Sequence, residues 1–258
     1  MNQSQRNCAF CGTNENLTRE HIFPNSILRS HEKRLLTIND KNDKVFKGDL
    51  VVKDVCKNCN GGILSYLDKE LLGVYREFMH EPIAPGSSAK LVFDYNLLLR
   101  VLLKVSYNSA RASSDGQRAT AALKKLVPYI IGDNSVAPNV MLRLQIVTSA
   151  NKYNIVTEKI EGTLDAVVLR NCKIDYDGPQ SSSFVLRLVA INSYWFYIII
   201  SNSNINNQRK KSFLANFKNW IINPGVPINR NSSEIIIPRE KTTYIHETLL
   251  EGMKRKIA

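Results

Sequence analysis

Apolar positions along the chain follow two rhythms, helical up to about residue 131 and alternating from residue 140 onward. In the stretch Ile63 to Met79, the residues Leu64, Leu67, Leu71, Val74, Tyr75 and Phe78 recur at three- and four-residue intervals, which predicts a helix. Glu81-Pro82-Ile83-Ala84-Pro85-Gly86-Ser87-Ser88 then concentrates breakers and small polar residues, as a linker does, and closes a first unit near His80. Beyond it, Asp94 stands where it can cap an apolar helix through Leu97, Leu98, Val101, Leu102 and Val105. Asp115 is placed to cap another, from about Gln117 to Ile131. The period then changes. Val140, Leu142, Leu144 and Ile146 alternate with other residues as a half-buried strand would, and a second strand is expected at Leu164–Leu169. Phe184 to Ile191 and Tyr194 to Ile200 read as a hairpin turning at Asn192-Ser193. A short helix should end before Pro224-Gly225, and Thr243 to Ile257 has helical spacing. The fold class is α+β: a unit over residues 1–80, then a region over 81–258 that opens with helices and continues into an antiparallel sheet.

Composition narrows the class of protein. A chain of 258 residues can bury a sizeable core, and its longest apolar run, near Trp195 to Ile200, is of strand length rather than membrane-span length. The polar start, Met1 to Arg6, lacks the apolar stretch of a signal peptide. Four of the five cysteines fall in two close pairs and Cys172 is left over, a usage expected of a reducing, cytoplasmic setting rather than of a disulfide framework. Formal net charge is +12, and most of it lies late in the chain. Residues 1–80 carry 12 Lys+Arg against 10 Asp+Glu, whereas residues 81–258 carry 23 against 13. Such an excess favours a polyanionic partner through counterion release and steering.

Candidate chemistry sits almost entirely in the first 80 residues. Cys8-Ala-Phe-Cys11 and Cys56-Lys-Asn-Cys59 are two Cys-x-x-Cys knuckles, with the spacing and softness to hold one tetrahedral zinc. Four thiolates leave no open coordination position, so this zinc would be structural, stapling two segments separated by residues 12–55. Between the knuckles lies Glu20-His21-Ile22-Phe23-Pro24, and directly after the second comes Asn60-Gly61-Gly62. Neighbours on a regular strand point to opposite faces, so Glu20 and His21 can serve one site only at a distorted strand end or loop. A neutral imidazole accepts a proton near physiological pH, and a carboxylate with an amide oxygen suits a hard divalent cation.

Taken together these residues resemble the HNH, or ββα-metal, endonuclease superfamily, and most of all its zinc-stapled branch. That branch reads Cys-x-x-Cys, Glu/Asp-His-x-x-Pro, then Cys-x-x-Cys-Asn with a following helix, and the resemblance covers roughly residues 8–72. It implies that His21 is the general base. It further implies that Glu20 and Asn60 are ligands of one catalytic Mg²⁺ or Mn²⁺, and that Cys8, Cys11, Cys56 and Cys59 hold Zn²⁺. Glu20 stands where many relatives carry Asp. The asparagine often found shortly before the second knuckle, which helps orient the histidine, is absent; Asp49 and Asp54 are the nearest substitutes. Relatives with additional domains commonly work in restriction, phage defence or mobile elements, and a homodimer or a defence-system partner protein is a further expectation for this chain.

The expected function is metal-dependent hydrolysis of DNA phosphodiester bonds, with nicking as the elementary event of a single-metal site. RNA cleavage would use the same residues. A zinc-containing module that binds nucleic acid or a partner without cleaving is the alternative from another class. Arg19 is a candidate phosphate ligand, and Arg209, Lys210 and Lys211 form a dense basic run suited to a nucleic-acid backbone. Asp68 sits where the helix could support the site from behind, although a helix-surface carboxylate is the stronger expectation. His31 falls in a short helix expected over Asn25 to Leu35, and His80 and His246 have no partner at a useful spacing. Tyr194, Trp195, Phe196 and Tyr197 could stack bases, but inside an apolar hairpin burial is the stronger expectation.

Overall fold

The computed structural model describes residues 6–31, 37–39, 44–46, 50–113, 116–137, 139–154, 157–176, 178–201, 205–219 and 224–238. Its first strand, β1 (Leu17–His21), leads through Pro24 into a short helix, α1 (Asn25–Ser30), and then to a small hairpin of β2 (Thr37–Asn39) and β3 (Lys44–Phe46). β4 (Val51–Cys56) returns antiparallel to β1. From there the chain runs through α2 (Lys57–Cys59), a π-helical turn at Asn60–Leu64 kinked at the non-helical Gly62, α3 (Ser65–Val74) and a second π-helical turn at Tyr75–Met79. Leu64, Leu67, Leu71, Tyr75 and Met79 are all buried, so the apolar stripe read from the sequence is the packed face. The long helix thus begins after Gly62, as the stripe from Ile63 predicts, and a short helical segment precedes it from Lys57, where the Cys56 sulfur accepts a bond from the Cys59 N–H as a Ser or Asp oxygen does at other helix starts. Hydrophobic periodicity carries no trace of such a cap.

β5 (Ala89–Val92) precedes α4 (Tyr95–Ala112), whose N-terminus is capped by the Asp94 carboxylate accepting from Leu97 N–H at 2.9 Å. The helix expected over 117–131 is two helices, α5 (Gly116–Lys124) and α6 (Val127–Ile131). Pro128 has no N–H and fits only the first turn of a helix, so a new helix starts there. Asp115 lies outside the described residues. α4 is buried over most of its circumference, between α3 and β4 on one side and the main sheet on the other, with α5 and α6 alongside. Its buried side chains nonetheless include Lys104, Ser106, Asn108 and Ser109, and groups of that kind persist in a core only when paired.

The remaining elements are β6 (Val140–Ile146), β7 (Ala150–Asn154), β8 (Lys159–Leu164), β9 (Leu169–Lys173), β10 (Phe184–Ile191), β11 (Tyr194–Ser201), α7 (Asn207–Asn219), β12 (Val226–Ile228) and β13 (Glu234–Ile237). An antiparallel five-stranded sheet runs in the order β12-β6-β11-β10-β9, while β7 pairs with β8 and β13 with β5. The hairpin turns at Asn192-Ser193, with Ile191 opposite Tyr194 and Asn192 at φ +50°. Residues 165–168 are not strand, contrary to the expectation for Leu164–Leu169. They connect β8 to β9, and the Val168 carbonyl is taken up by the Asn192 N–H at the hairpin tip. Alternation divides the central strands cleanly. Val185, Val189, Ile191, Tyr194, Phe196 and Ile198 join the main core, whereas Phe184, Leu186 and Ile199 pack with Phe213 of α7 on the opposite face. Both faces are covered, so these strands read as continuous apolar runs. The main core runs without a break from Cys8 and Phe10 to Ile237, joining residues of 1–80 to those of 81–258. The helical stretch expected over 243–257 lies outside the described residues.

Candidate metal centre and polar site

Cys8, Cys11, Cys56 and Cys59 converge from a tight turn and from the short helical segment that follows β4. Their sulfurs all lie within 4.8 Å of one another. A tetrahedral zinc with Zn–S bonds of about 2.3 Å sets its sulfurs about 3.8 Å apart, so this cluster could hold a zinc ion with little adjustment. Gly12, at φ +81°, closes the first knuckle, and its N–H donates to the Cys8 carbonyl at 2.9 Å. The Cys56 N–H donates to the Cys8 sulfur at 3.3 Å, linking the knuckles through the backbone. Burial pushes the Cys8 thiol up, but the backbone N–H groups of Cys56, Cys11 and Phe10 outweigh it and bring the thiol down to about 7. Burial and the neighbouring thiols push Cys59 far up. Four thiols this close resist ionising together until a cation joins them, and a divalent metal supplies that charge.

β1 carries Glu20 and His21 at its end, and the strand is irregular there. Thr18 pairs with Val55 but Glu20 with Val52, so β4 accommodates one extra residue opposite Arg19. The irregularity lies before Glu20, and Glu20 and His21 themselves pair in regular register with Val52 and Val51. Glu20 turns inward and is buried; His21 is half-buried. Asn60 lies at the start of the π-helical turn, and its side-chain N–H groups donate to the Thr18 hydroxyl at 2.8 Å and to the Arg19 carbonyl at 3.0 Å. Asn60 thereby pins the helix start to the strand that bears Glu20 and His21.

The sequence reading missed the partner of Glu20. The Lys104 ammonium, fully buried on α4, contacts Glu20 Oε1 and lies 2.7 Å from Asp68 Oδ1 on α3. Asp68, expected foremost as a helix-surface carboxylate, is instead half-buried and pairs with Lys104. Burial raises both carboxyl groups above their usual range, opposed by the Lys104 charge and, more weakly, by His21. One α-helical turn further on, Asn108 donates to the His21 carbonyl at 3.3 Å, and Arg111 reaches Asp54 on β4 at 2.5 Å. Asp54, a candidate for orienting His21, is therefore committed to Arg111. Asp49 lies outside the described residues. Lys104 is a buried charge, which persists in a core only beside carboxylate partners, but its burial is decided by packing and is not visible in the sequence.

The other candidates are dispersed. Arg19 is exposed beside the site. Arg209, Lys210 and Lys211 lie on α7, which covers the sheet face opposite α4 and so stands across the sheet from Glu20. His31 is buried, its ring nitrogens 3.0 Å from the Ile27 carbonyl and 3.0 Å from the Asn192 side-chain oxygen, and it docks the hairpin tip onto α1. His80 pairs with Glu81 at 2.9 Å. Tyr194, Trp195, Phe196 and Tyr197 are buried, and Cys172 packs against apolar neighbours. His246 lies outside the described residues. Among the described residues, no helix is long and apolar enough to cross a membrane. No family model, no curated protein and no solved structure matches this chain.

What the residues and geometry define is a mixed α+β protein with antiparallel sheets and a four-cysteine cluster able to hold zinc. A half-buried histidine and a buried carboxylate stand side by side at the end of a strand stapled by that cluster. Of the two residues expected to hold a catalytic cation, Glu20 gives one oxygen to Lys104, and both bonds of Asn60 use its nitrogen.

Proposed function

We propose that this chain is a metal-dependent endonuclease of the HNH type that hydrolyses DNA phosphodiester bonds, nicking one strand in each elementary event. The observation that carries the reading is the strand–strand–helix arrangement of β1, β4 and the helical stretch from Lys57. There the cysteine cluster staples the two strand segments, and Asn60 pins the helix to the strand end bearing Glu20 and His21. In this reading His21 accepts the proton of the attacking water, which makes the oxygen nucleophilic toward phosphorus. Glu20 and Asn60 would hold Mg²⁺ or Mn²⁺, whose charge would stabilise the anionic phosphate and the leaving oxygen. Arg19, exposed beside the site, would pair with a flanking phosphate. The positive excess of residues 81–258 would draw the polyanion in.

One observation favours the reading as a zinc module that binds without cleaving: Glu20 already has a structural partner in Lys104 and is only 4 % exposed. Incubating the protein with supercoiled and linear DNA, single-stranded DNA and RNA across several divalent metals separates these readings. The nuclease reading expects metal-dependent nicking of DNA. With His21→Ala, cleavage should fall by roughly 10²–10⁴-fold, the range for losing a general base, while zinc content, folding and DNA affinity stay parental. A folded His21→Ala protein that cuts at the parental rate would remove His21 from the mechanism. Absence of cleavage on every substrate would leave the binding module, and cleavage of RNA alone would reassign the substrate.

A further inference from the structure

Lys104, Asn108 and Arg111 recur on α4 at intervals of four and three residues, which is one face of a helix. Each ends on a different part of the N-terminal segment. Lys104 bridges Glu20 on β1 and Asp68 on α3. Asn108 donates through its nitrogen to the His21 carbonyl and accepts through its oxygen from Arg111 at 2.6 Å. Arg111 pairs with Asp54 on β4, and its guanidinium lies 5.5 Å from the Phe10 ring centroid and 4.6 Å from that of Tyr107. Phe10 belongs to the first knuckle, so one face of α4 touches both strands, the helical stretch and the cysteine cluster's own loop.

We propose that this polar stripe is a positioning device for the His21–Glu20 site, in which Lys104 sets the Glu20 carboxylate and Asn108 sets the His21 backbone. Arg111 holds the stripe in register against β4 and the first knuckle. The chemical consequence rests on the nuclease reading; the positioning itself is independent of it. Apolar side chains would stabilise so deeply buried a helix at least as well, without desolvating an ammonium and an amide. Polar groups gain something apolar ones do not: a fixed direction and distance to two adjacent residues. Lys104 is 0 % exposed, so it acts through Glu20 and not on a substrate.

The test uses the full zinc-loaded chain and Asn108→Asp. This variant keeps the size of the side chain and its oxygen for Arg111 but removes the N–H that holds the His21 carbonyl. Zinc content should stay parental, and the melting temperature should fall by no more than the cost of one buried hydrogen bond. At saturating Mg²⁺, kcat for DNA nicking should fall about 10²-fold, the scale of misplacing a reacting group by an ångström, with KM for DNA unchanged. Parental kcat, or a raised KM at parental kcat, overturns the proposal. A second readout needs no activity: the ¹H–¹⁵N ring resonances of His21, identified by their loss in His21→Ala, should move in Asn108→Asp, and unmoved resonances overturn the proposal. If Asn108→Asp does not fold, Asn108→Ala is read the same way. A parent that cuts nothing sinks the nuclease reading, and the ring resonances then decide the positioning alone.

Discussion

Glu20 occupies a strand position where a carboxylate is stable only beside a cation, and Lys104 is that cation. The pair is incompletely compensated, because burial still raises the carboxyl groups of Glu20 and Asp68 above their ordinary range. The sign of the resulting pH dependence follows from linkage. A carboxyl whose folded pKa is raised binds its proton more tightly in the folded state, so its contribution to stability falls as pH rises from the unfolded pKa through the folded one. Glu20→Gln resembles the protonated acid and lacks this penalty. Urea midpoints of parent and Glu20→Gln should therefore nearly coincide in acid, below the ordinary carboxylate range, and separate in favour of the variant as pH rises toward neutrality. A difference that stays constant with pH would mean that Lys104 fully compensates Glu20.

At the scale of elements, the segment from Lys57 shows how a cysteine cluster sets a boundary that periodicity cannot. The apolar stripe and the long helix begin after the kink at Gly62, yet a short helical segment already starts at the second knuckle, where the Cys56 sulfur caps it. The cap and the candidate metal ligand are the same atom. Cys56→Ser keeps an oxygen that can cap the helix start but removes one thiolate, so it should weaken the cluster and leave the cap in place. Metal analysis of the parent should find one zinc per chain. The serine variant should lose most of it and melt lower, by roughly 2–4 °C for each kcal/mol of metal-binding energy removed in a chain of this size. A parent without zinc, or a variant melting with the parent, would show that the cluster is not a staple. The division of the helix expected over 117–131 is a smaller case of the same kind: one proline outranks a continuous apolar pattern.

At the scale of the molecule, α4 joins two regions that differ in charge and in architecture. Its apolar faces bind the sheet and α3 into one core, while its polar stripe fastens the strand end of Glu20 and His21. The basic run on α7 stands across the sheet from that site. A polyanion held by both would have to pass around the sheet, so Arg209, Lys210 and Lys211 should govern affinity and leave the chemical step alone. Replacing all three with Ala should flatten the salt dependence of DNA binding, by roughly 0.9 in log–log slope for each phosphate no longer neutralised, with kcat unchanged. An unaltered slope would assign the run to solvent.

Features with short-range causes were legible in the sequence. Asp94 caps α4 because a carboxylate three residues before an N–H reaches it, and the hairpin turns at Asn192-Ser193 because two apolar runs flank two polar residues. The two Cys-x-x-Cys spacings announced a cluster for the same reason: each spacing is itself a local turn. The burial of Tyr194 to Tyr197 followed from apolar runs too continuous for a sheet with one wet face. The polar stripe of α4 was not legible. Lys104, Asn108 and Arg111 look like ordinary polar punctuation in a helix, and their partners Asp68, His21 and Asp54 lie 36, 87 and 57 residues away along the chain. Nothing local distinguishes a lysine that will face water from one that will be enclosed by two carboxylates. Only the packing of α4 against β1, β4 and α3 removes the water, and once water is gone the desolvation cost leaves Lys104 no arrangement but that pairing.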